Sequence, residues 1–200
     1  IHRMSDGSRA LRCDPAKIAG IVVTDRPERP EPAAAPSAVD AAIADNVLRI
    51  LGAERAAGRL PDGCAIEPGI GSVAVAVFSR MCRSPESLPD RYVGVIQDGA
   101  IDLALSGHIR TVTGAALRLS EEGLDKLYRH IDRLKDRIVL LPQDLSNAAG
   151  RLESSRLIAV NTAIEADILG NVNSTHLFGD RIMNGIGGAA DFARHALLSV

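Results

Sequence analysis

Two glycine turns carry the backbone chemistry of this chain. Gly69-Ile70-Gly71-Ser72-Val73-Ala74 and Gly185-Ile186-Gly187-Gly188-Ala189-Ala190 both read GxGxxA. Each is placed to open a helix, where backbone N–H groups without helical acceptors can meet a phosphate or an oxyanion. The same pattern fits a dinucleotide cradle, so a nicotinamide-dependent oxidoreductase is the alternative reading. Against it, Asp90 precedes its strand, so no strand-end acid stands where a ribose would need one after the first turn. The second turn lies too near residue 200 to complete a βαβ unit. Plain tight turns are the simplest reading of both.

Amides crowd near the second turn. Asn161-Thr162-Ala163-Ile164-Glu165 and Asn171-Val172-Asn173-Ser174-Thr175-His176 set polar groups beside segments that read as strands. Asn satisfies irregular backbone in turns, and beside glycine turns it would also make a polar floor for a ligand. The five histidines, His2, His108, His130, His176 and His195, show no HxH or HExxH spacing, and no GxSxG elbow occurs. No metal is expected. Cys13, Cys64 and Cys82 form no CxxC pair; Cys64 and Cys82 read as small buried hydrophobes, and an odd thiol count fits a reducing compartment.

These groups need a scaffold. Ile18-Ala19-Gly20-Ile21-Val22-Val23-Thr24 reads as a buried strand, followed by a stiff connector over 25–36 that holds four of the ten prolines. Ser37 and Asp40 are N-cap candidates for a helix with Ile43, Val47, Ile50 and Leu51 at helical spacing and a stop at Gly58. From residue 63 short strands and helices alternate. Strands are expected at 64–66, 92–97, 137–141, 157–161, 164–168 and 196–200. Helices are expected from Ser72 to Cys82, Asp98 to Leu105 and Ala189 to about His195, and the charged stretch 125–137 reads as a solvated helix face. The alternation predicts an α/β fold, a mostly parallel open sheet flanked by helices, with ligand sites at strand carboxyl ends.

The chain has 200 residues, 46% of them apolar, enough for a buried core and too many for a disordered chain. The formal net charge is −2 and aromatics are 2%, so neither a basic field nor stacking platforms exist for nucleic acid, and none is expected as a partner. The apolar runs are too short to cross a membrane. The first residues lack an initiator Met and a signal-peptide core. A cytoplasmic setting is expected, or a mitochondrial one in a eukaryote. Both ends read as cut. The expected organisation is a leading strand and Pro-rich connector over 1–40 and one catalytic domain over 41–200, truncated at both ends.

Gln97-Asp98-Gly99, Asn161-Thr162-Ala163-Ile164-Glu165, Gly170-Asn171-Val172-Asn173-Ser174-Thr175 and Met183-Asn184-Gly185-Ile186-Gly187-Gly188 occur in this order, after Gly69-Ile70-Gly71. The ordered set resembles the acetyl-CoA hydrolase/transferase family, most of all its succinyl-CoA:acetate CoA-transferases, from about Cys13 to Val200. The resemblance implies a CoA-transferase-like C-terminal domain that moves CoA between short-chain carboxylates such as acetate and succinate. The chemistry it implies is covalent. A glutamate attacks the acyl-CoA thioester to give an anhydride, which CoA converts to a glutamyl-CoA thioester. It implies CoA as a substrate, acyl-CoA and small carboxylates as partners, and a homodimer. It assigns the oxyanion N–H groups to Ile70 and Gly188, the CoA surface to Gly69, Ile70, Gly71, Ser72, Val73, Ile164, Asn184 and Gly188, and the substrate carboxylate to Asn147 and Arg29.

One position departs from the family pattern. The family's glutamate lies three residues before Gln-Asp-Gly, and here that residue is Gly94. Glycine cannot form the anhydride. Asp98 and Asp102 lie nearby in sequence, and Asp98 stands more than ~10 Å along the strand at roughly 3.3 Å per residue. Glu67, two residues before the glycine turn, is the one stand-in. Retained CoA binding with weakened or absent turnover is therefore an alternative for this chain. Gly94→Glu is expected to supply the nucleophile without loss of stability, unless φ there is positive.

Overall fold

The computed structural model describes residues 13–26, 30, 35–83 and 89–200. Ser37 opens the first helix, α1 (Ala38–Ala56), through a reciprocal capping box. Its hydroxyl accepts from the Asp40 N–H at 3.2 Å, and the Asp40 carboxylate accepts from the Ser37 N–H at 2.7 Å. Ala44, Val47 and Leu51 form the buried stripe. Ile43 and Ile50 lie beside it, half-exposed. The stripe packs on α2 (Ser72–Met81), which is apolar around most of its circumference and buries Ala74, Ala76, Val77, Phe78 and Met81. That burial explains a valine-rich segment folding as a helix, since packing overrides the modest propensity penalty of branched residues.

The strands β1 (Ala65–Glu67), β2 (Arg91–Val93), β3 (Thr111–Gly114), β4 (Ile138–Leu140) and β5 (Leu157–Ala159) are short and lie in one sheet. Between β1 and β4 the crossovers contain α2, α3 (Asp98–Ser106) and the pair α4 (Glu121–Arg129) and α5 (Ile131–Leu134); α6 (Gln143–Ser146) and α7 (Ala149–Ser154) lead from β4 to β5. Beyond β5 the chain makes two small antiparallel ribbons outside this sheet. These are β6 (Glu165–Ala166) with β7 (Val172–Asn173), and β8 (His176–Leu177) with β9 (Arg181–Ile182). Helix α8 (Ala189–His195) then returns the chain to β10 (Leu198–Ser199). The order is β10-β5-β1-β2-β3-β4, and every pair is parallel.

Residue alternation along the strands divides the core in two. Ile66, Tyr92, Val112, Ile138 and Ile158 join α1 to α5 in the larger cluster. Ala65, Leu157 and Ala159 join Leu152 of α7 and Phe192 of α8 in a smaller one. The chain thus lays helices on one face while it runs from β1 to β4, then reverses direction and covers the other.

Three expectations need correction. Residues 18–24 are extended but in no sheet among the described residues, and Ile21, Val22 and Val23 are 81%, 89% and 93% exposed. A β-branched run needs a paired neighbour before its propensity counts. The strand expected over 92–97 stops at Val93, because Gly94 turns the backbone to φ 118°; Ile96 resumes only as a single bridge to Leu117. The 164–168 strand joins a small ribbon rather than the main sheet. No helix of the described residues is long and apolar enough to cross a membrane.

Candidate functional site

The strand sequence runs outward from β1 to β4, then jumps back across β1 to β5. The reversal lies between β1 and β5, and in such sheets a crevice opens beyond the strand carboxyl ends at that point. The residues found there are Glu67, ending β1, the Gly69 turn, and Asn161, two residues past β5.

Glu67 is buried at 5% exposure. Its Oε1 accepts from the Gly69 N–H at 2.9 Å, and its Oε2 accepts from the Asn161 side-chain amide at 2.9 Å. Burial pushes its carboxyl up to about 7, although both donors favour the anion. Gln97 closes the group from β2's side by donating its amide to the Gly69 carbonyl at 2.7 Å. The Tyr92 hydroxyl donates to the Val95 carbonyl; burial foremost, and also the Glu67 charge, raises the pKa of this phenol.

Gly94 lies against Glu67. A Cβ at Gly94 would sit 3.0 Å from Glu67 Cγ and 3.6 Å from its Oε1. With φ at 118°, a side chain there is strained regardless of space. The condition attached to Gly94→Glu at the sequence level is therefore met, and that substitution carries a stability cost. Asp98 is occupied elsewhere: Oδ1 accepts from the Ser120 N–H at 2.9 Å and Oδ2 from the Ser120 hydroxyl, tying α3 to the start of α4.

A second group forms around Gly188, the N-cap of α8. A Cβ there would meet Asn147 Nδ2 at 2.9 Å and Phe192 Cε2 at 2.9 Å, so the Asn147 amide lies directly on the turn. A helix that precedes a parallel strand runs against it, so the N-terminus of α8 lies at the carboxyl edge of the sheet, as does that of α2. Phe192 belongs to the same buried cluster as Ala65, and Glu67 is two residues on from Ala65, hence on the same sheet face. Among the described residues, neither the Ile70 nor the Gly188 N–H donates to a protein acceptor.

Other expected site residues lie apart from these groups or are tied up locally. Ile164 donates its N–H to the Asn173 carbonyl at 2.8 Å, and Asn184 donates to the Thr175 and Ser174 carbonyls at 3.3 and 3.2 Å, so both belong to the ribbon excursion. Asn171 and Asn173 hold Asp167, Glu165, Thr175 and His176 within those ribbons, which is turn satisfaction rather than a floor. Ser72 reaches the Asp40 carboxylate. Arg29 lies outside the described residues. Gln97 and Asn161 were legible only as motif members. A polar residue just past an apolar parallel strand is the signal that marks both.

A model of the acetyl-CoA hydrolase/transferase C-terminal domain matches residues 123–200. Over 195 residues the chain is 39% identical to the succinyl-CoA:acetate CoA-transferase of Clostridium kluyveri, covering 97% of this chain and 36% of that protein. The similarity is to the acetyl-CoA hydrolase/transferase family. It is also 36% identical to the propanoyl-CoA:succinate CoA transferase of Escherichia coli, over 97% of this chain and 40% of that one. With the acetyl-CoA hydrolase of Schizosaccharomyces pombe it shares 35% identity, over 100% of this chain and 39% of the relative. The chain thus spans well under half the length of these family members. Among solved structures, RipA from Yersinia pestis aligns with TM-score 0.60 at 21% identity, over 86% of this chain and 37% of that one. An E249A mutant of RipA aligns with TM-score 0.65 at 20% identity, over 87% and 38%. The fold is therefore shared with RipA, and in this chain the two glycine turns lie at the carboxyl edge of the sheet.

Proposed function

We propose that this chain is the CoA-handling part of an enzyme that moves CoA between short-chain carboxylates, acetate and succinate among them, or hydrolyses the acyl-CoA. The observation that carries the reading is the Gly69 turn at the sheet's reversal point, in a chain related over nearly all its length to proteins named for this chemistry. The Gly69–Val73 turn lines the CoA surface, and Ile164 and Asn184, carried on the ribbons apart from it, are further candidates for that surface. Ile70 and Gly188 present their N–H groups to the oxyanion of the tetrahedral intermediate, where fixed backbone donors cost no reorganisation. Asn147, against Gly188, holds the incoming carboxylate, and Arg29 is a further candidate for that role. The reaction passes through a glutamyl-CoA thioester, and Gly94 takes the place of the carboxylate that the family carries on the second strand.

The test is CoA exchange with the full-length protein, using acetyl-CoA or succinyl-CoA as donor and the other carboxylate as acceptor, followed by chromatography of the acyl-CoA pool. Transfer or hydrolysis is the expected result. Neither activity, together with no calorimetric CoA binding at millimolar concentration, overturns the reading.

A further inference from the structure

We infer that Glu67 is the nucleophile of this site, its carboxylate reaching from the first strand into the place left open by Gly94 on the second. The inference rests on the proposed CoA chemistry and deepens it by assigning the attacking atom.

Three observations carry it. The sheet pairs Ala65 with Arg91 and Ile66 with Tyr92, so Glu67 stands level with Val93, one residue from Gly94 on the neighbouring strand. Adjacent strands lie only ~4.8 Å apart, so a glutamate can serve the same pocket from either one. Second, the two positions compete for one space. A Cβ at 94 would press on Glu67 Cγ at 3.0 Å, so Glu67 would have to give by a few tenths of an ångström if residue 94 carried a side chain. Third, the carboxylate is held ready. The Gly69 N–H takes Oε1 and the Asn161 amide takes Oε2, leaving each oxygen a further lone pair. Gly69 belongs to the turn whose next N–H, that of Ile70, is proposed for the oxyanion. The carboxylates that follow Gly94 in sequence are engaged elsewhere, Asp98 with Ser120 and Asp102 with Lys126.

The step balances without a further reagent. A Glu67 oxygen attacks the thioester carbonyl carbon, the C–S bond breaks, and CoA leaves as thiolate, giving an acyl-glutamyl anhydride. The thiolate attacks Glu67 Cδ, the anhydride C–O bond breaks, and the donor's acyl group departs as its carboxylate. The resulting glutamyl-CoA thioester is resolved by a second carboxylate through the reverse sequence, or by water.

The experiment uses the full-length protein incubated with acetyl-CoA, reduced with borohydride, digested and mapped by mass spectrometry. The expected result is conversion of the Glu67 carboxyl to a primary alcohol, only when acyl-CoA was present. Glu67→Gln, which keeps the side chain's shape, is expected to lose at least ~10³-fold in kcat while retaining calorimetric CoA binding. Mapping needs no variant, so it decides the matter even if Glu67→Gln does not fold. A label on another carboxylate overturns the assignment. So does a Glu67→Gln enzyme within threefold of wild type, or turnover with no label, which would make Glu67 a base for water. In those outcomes CoA still binds and the CoA-handling reading stands, without its glutamyl-CoA thioester where no label forms. Absence of both CoA binding and turnover removes the wider reading and this inference together.

Discussion

Glu67 couples the site to pH through stability as well as chemistry. Its carboxyl is near 7 in the folded protein against about 4.5 in the open chain, because burial disfavours the anion. The folded state therefore holds a proton that the unfolded state releases between those two values. Stability contributed by this group is present below about pH 4.5 and lost as pH rises through about 7. The loss is on the order of 3 kcal/mol at 1.36 kcal/mol per unit. Glu67→Gln carries no titration, so its stability relative to wild type should climb from pH 4.5 to 7 and level off above. Denaturant melts of both proteins across that range check this; a difference that is flat with pH would contradict it. Gly94→Glu acts in the opposite sense. It must force a positive-φ site and displace Glu67, so a loss of roughly 1–3 kcal/mol is expected, with no gain in turnover while Glu67 remains.

The site is only as well placed as the elements beneath it. Strand β3 approaches β2 so closely at Gly114 that a Cβ there would lie 1.9 Å from the Gly94 carbonyl oxygen. Gly114→Ala must part β2 from β3 and shift Gly94 with them. A stability loss at or above the ~1–3 kcal/mol usual for overpacking is expected, with activity falling further than the fraction unfolded explains. Ser37→Ala removes the α1 cap, which touches the site only through Asp40 and Ser72, and should cost ~1 kcal/mol with a smaller effect on activity than Gly114→Ala. The contrast separates an element that positions the site from one that mainly buttresses α2. At the start of α8, Gly188→Ala puts a Cβ 2.9 Å from the Asn147 amide. It is expected to raise KM for the carboxylate acceptor by about tenfold, roughly 1.4 kcal/mol, with smaller change for CoA. Equal effects on both substrates would argue against Asn147 as the acceptor's partner.

At the scale of the whole molecule, ligand linkage gives a direct check on the reading. CoA at 100 times its Kd should stabilise the full-length protein by about 2.7 kcal/mol. At 2–4 °C per kcal/mol, a melting shift of roughly 5–10 °C is expected for the domain. NADH at the same concentration should give none, which separates the CoA reading from the dinucleotide alternative raised by the GxGxxA turns. How much of this was legible beforehand differs by element. The parallel α/β class followed from alternating short apolar runs and helical stretches, and α8 was placed from Ala189 to about His195, as found. The Ser37–Asp40 cap, the turn at 69–71 and the closure of α3 by Gly107 are local events, set by neighbours within a few residues. Short-range sterics and hydrogen bonding write such features directly into the chain. Strand β3, the ribbons at 165–182 and the fate of residues 18–24 depend on which segment pairs with which, and a run of branched residues does not name its partner. The same holds for the site. In the sequence alone, Gly94 stands where the resemblance implies a carboxylate and Glu67 is offered as a stand-in, but spacing along one strand could not place the two side by side. Only the tertiary structure did that, because the contact of Glu67 with Gly94 and Asn161 runs across the sheet, between residues 27 and 94 positions apart along the chain.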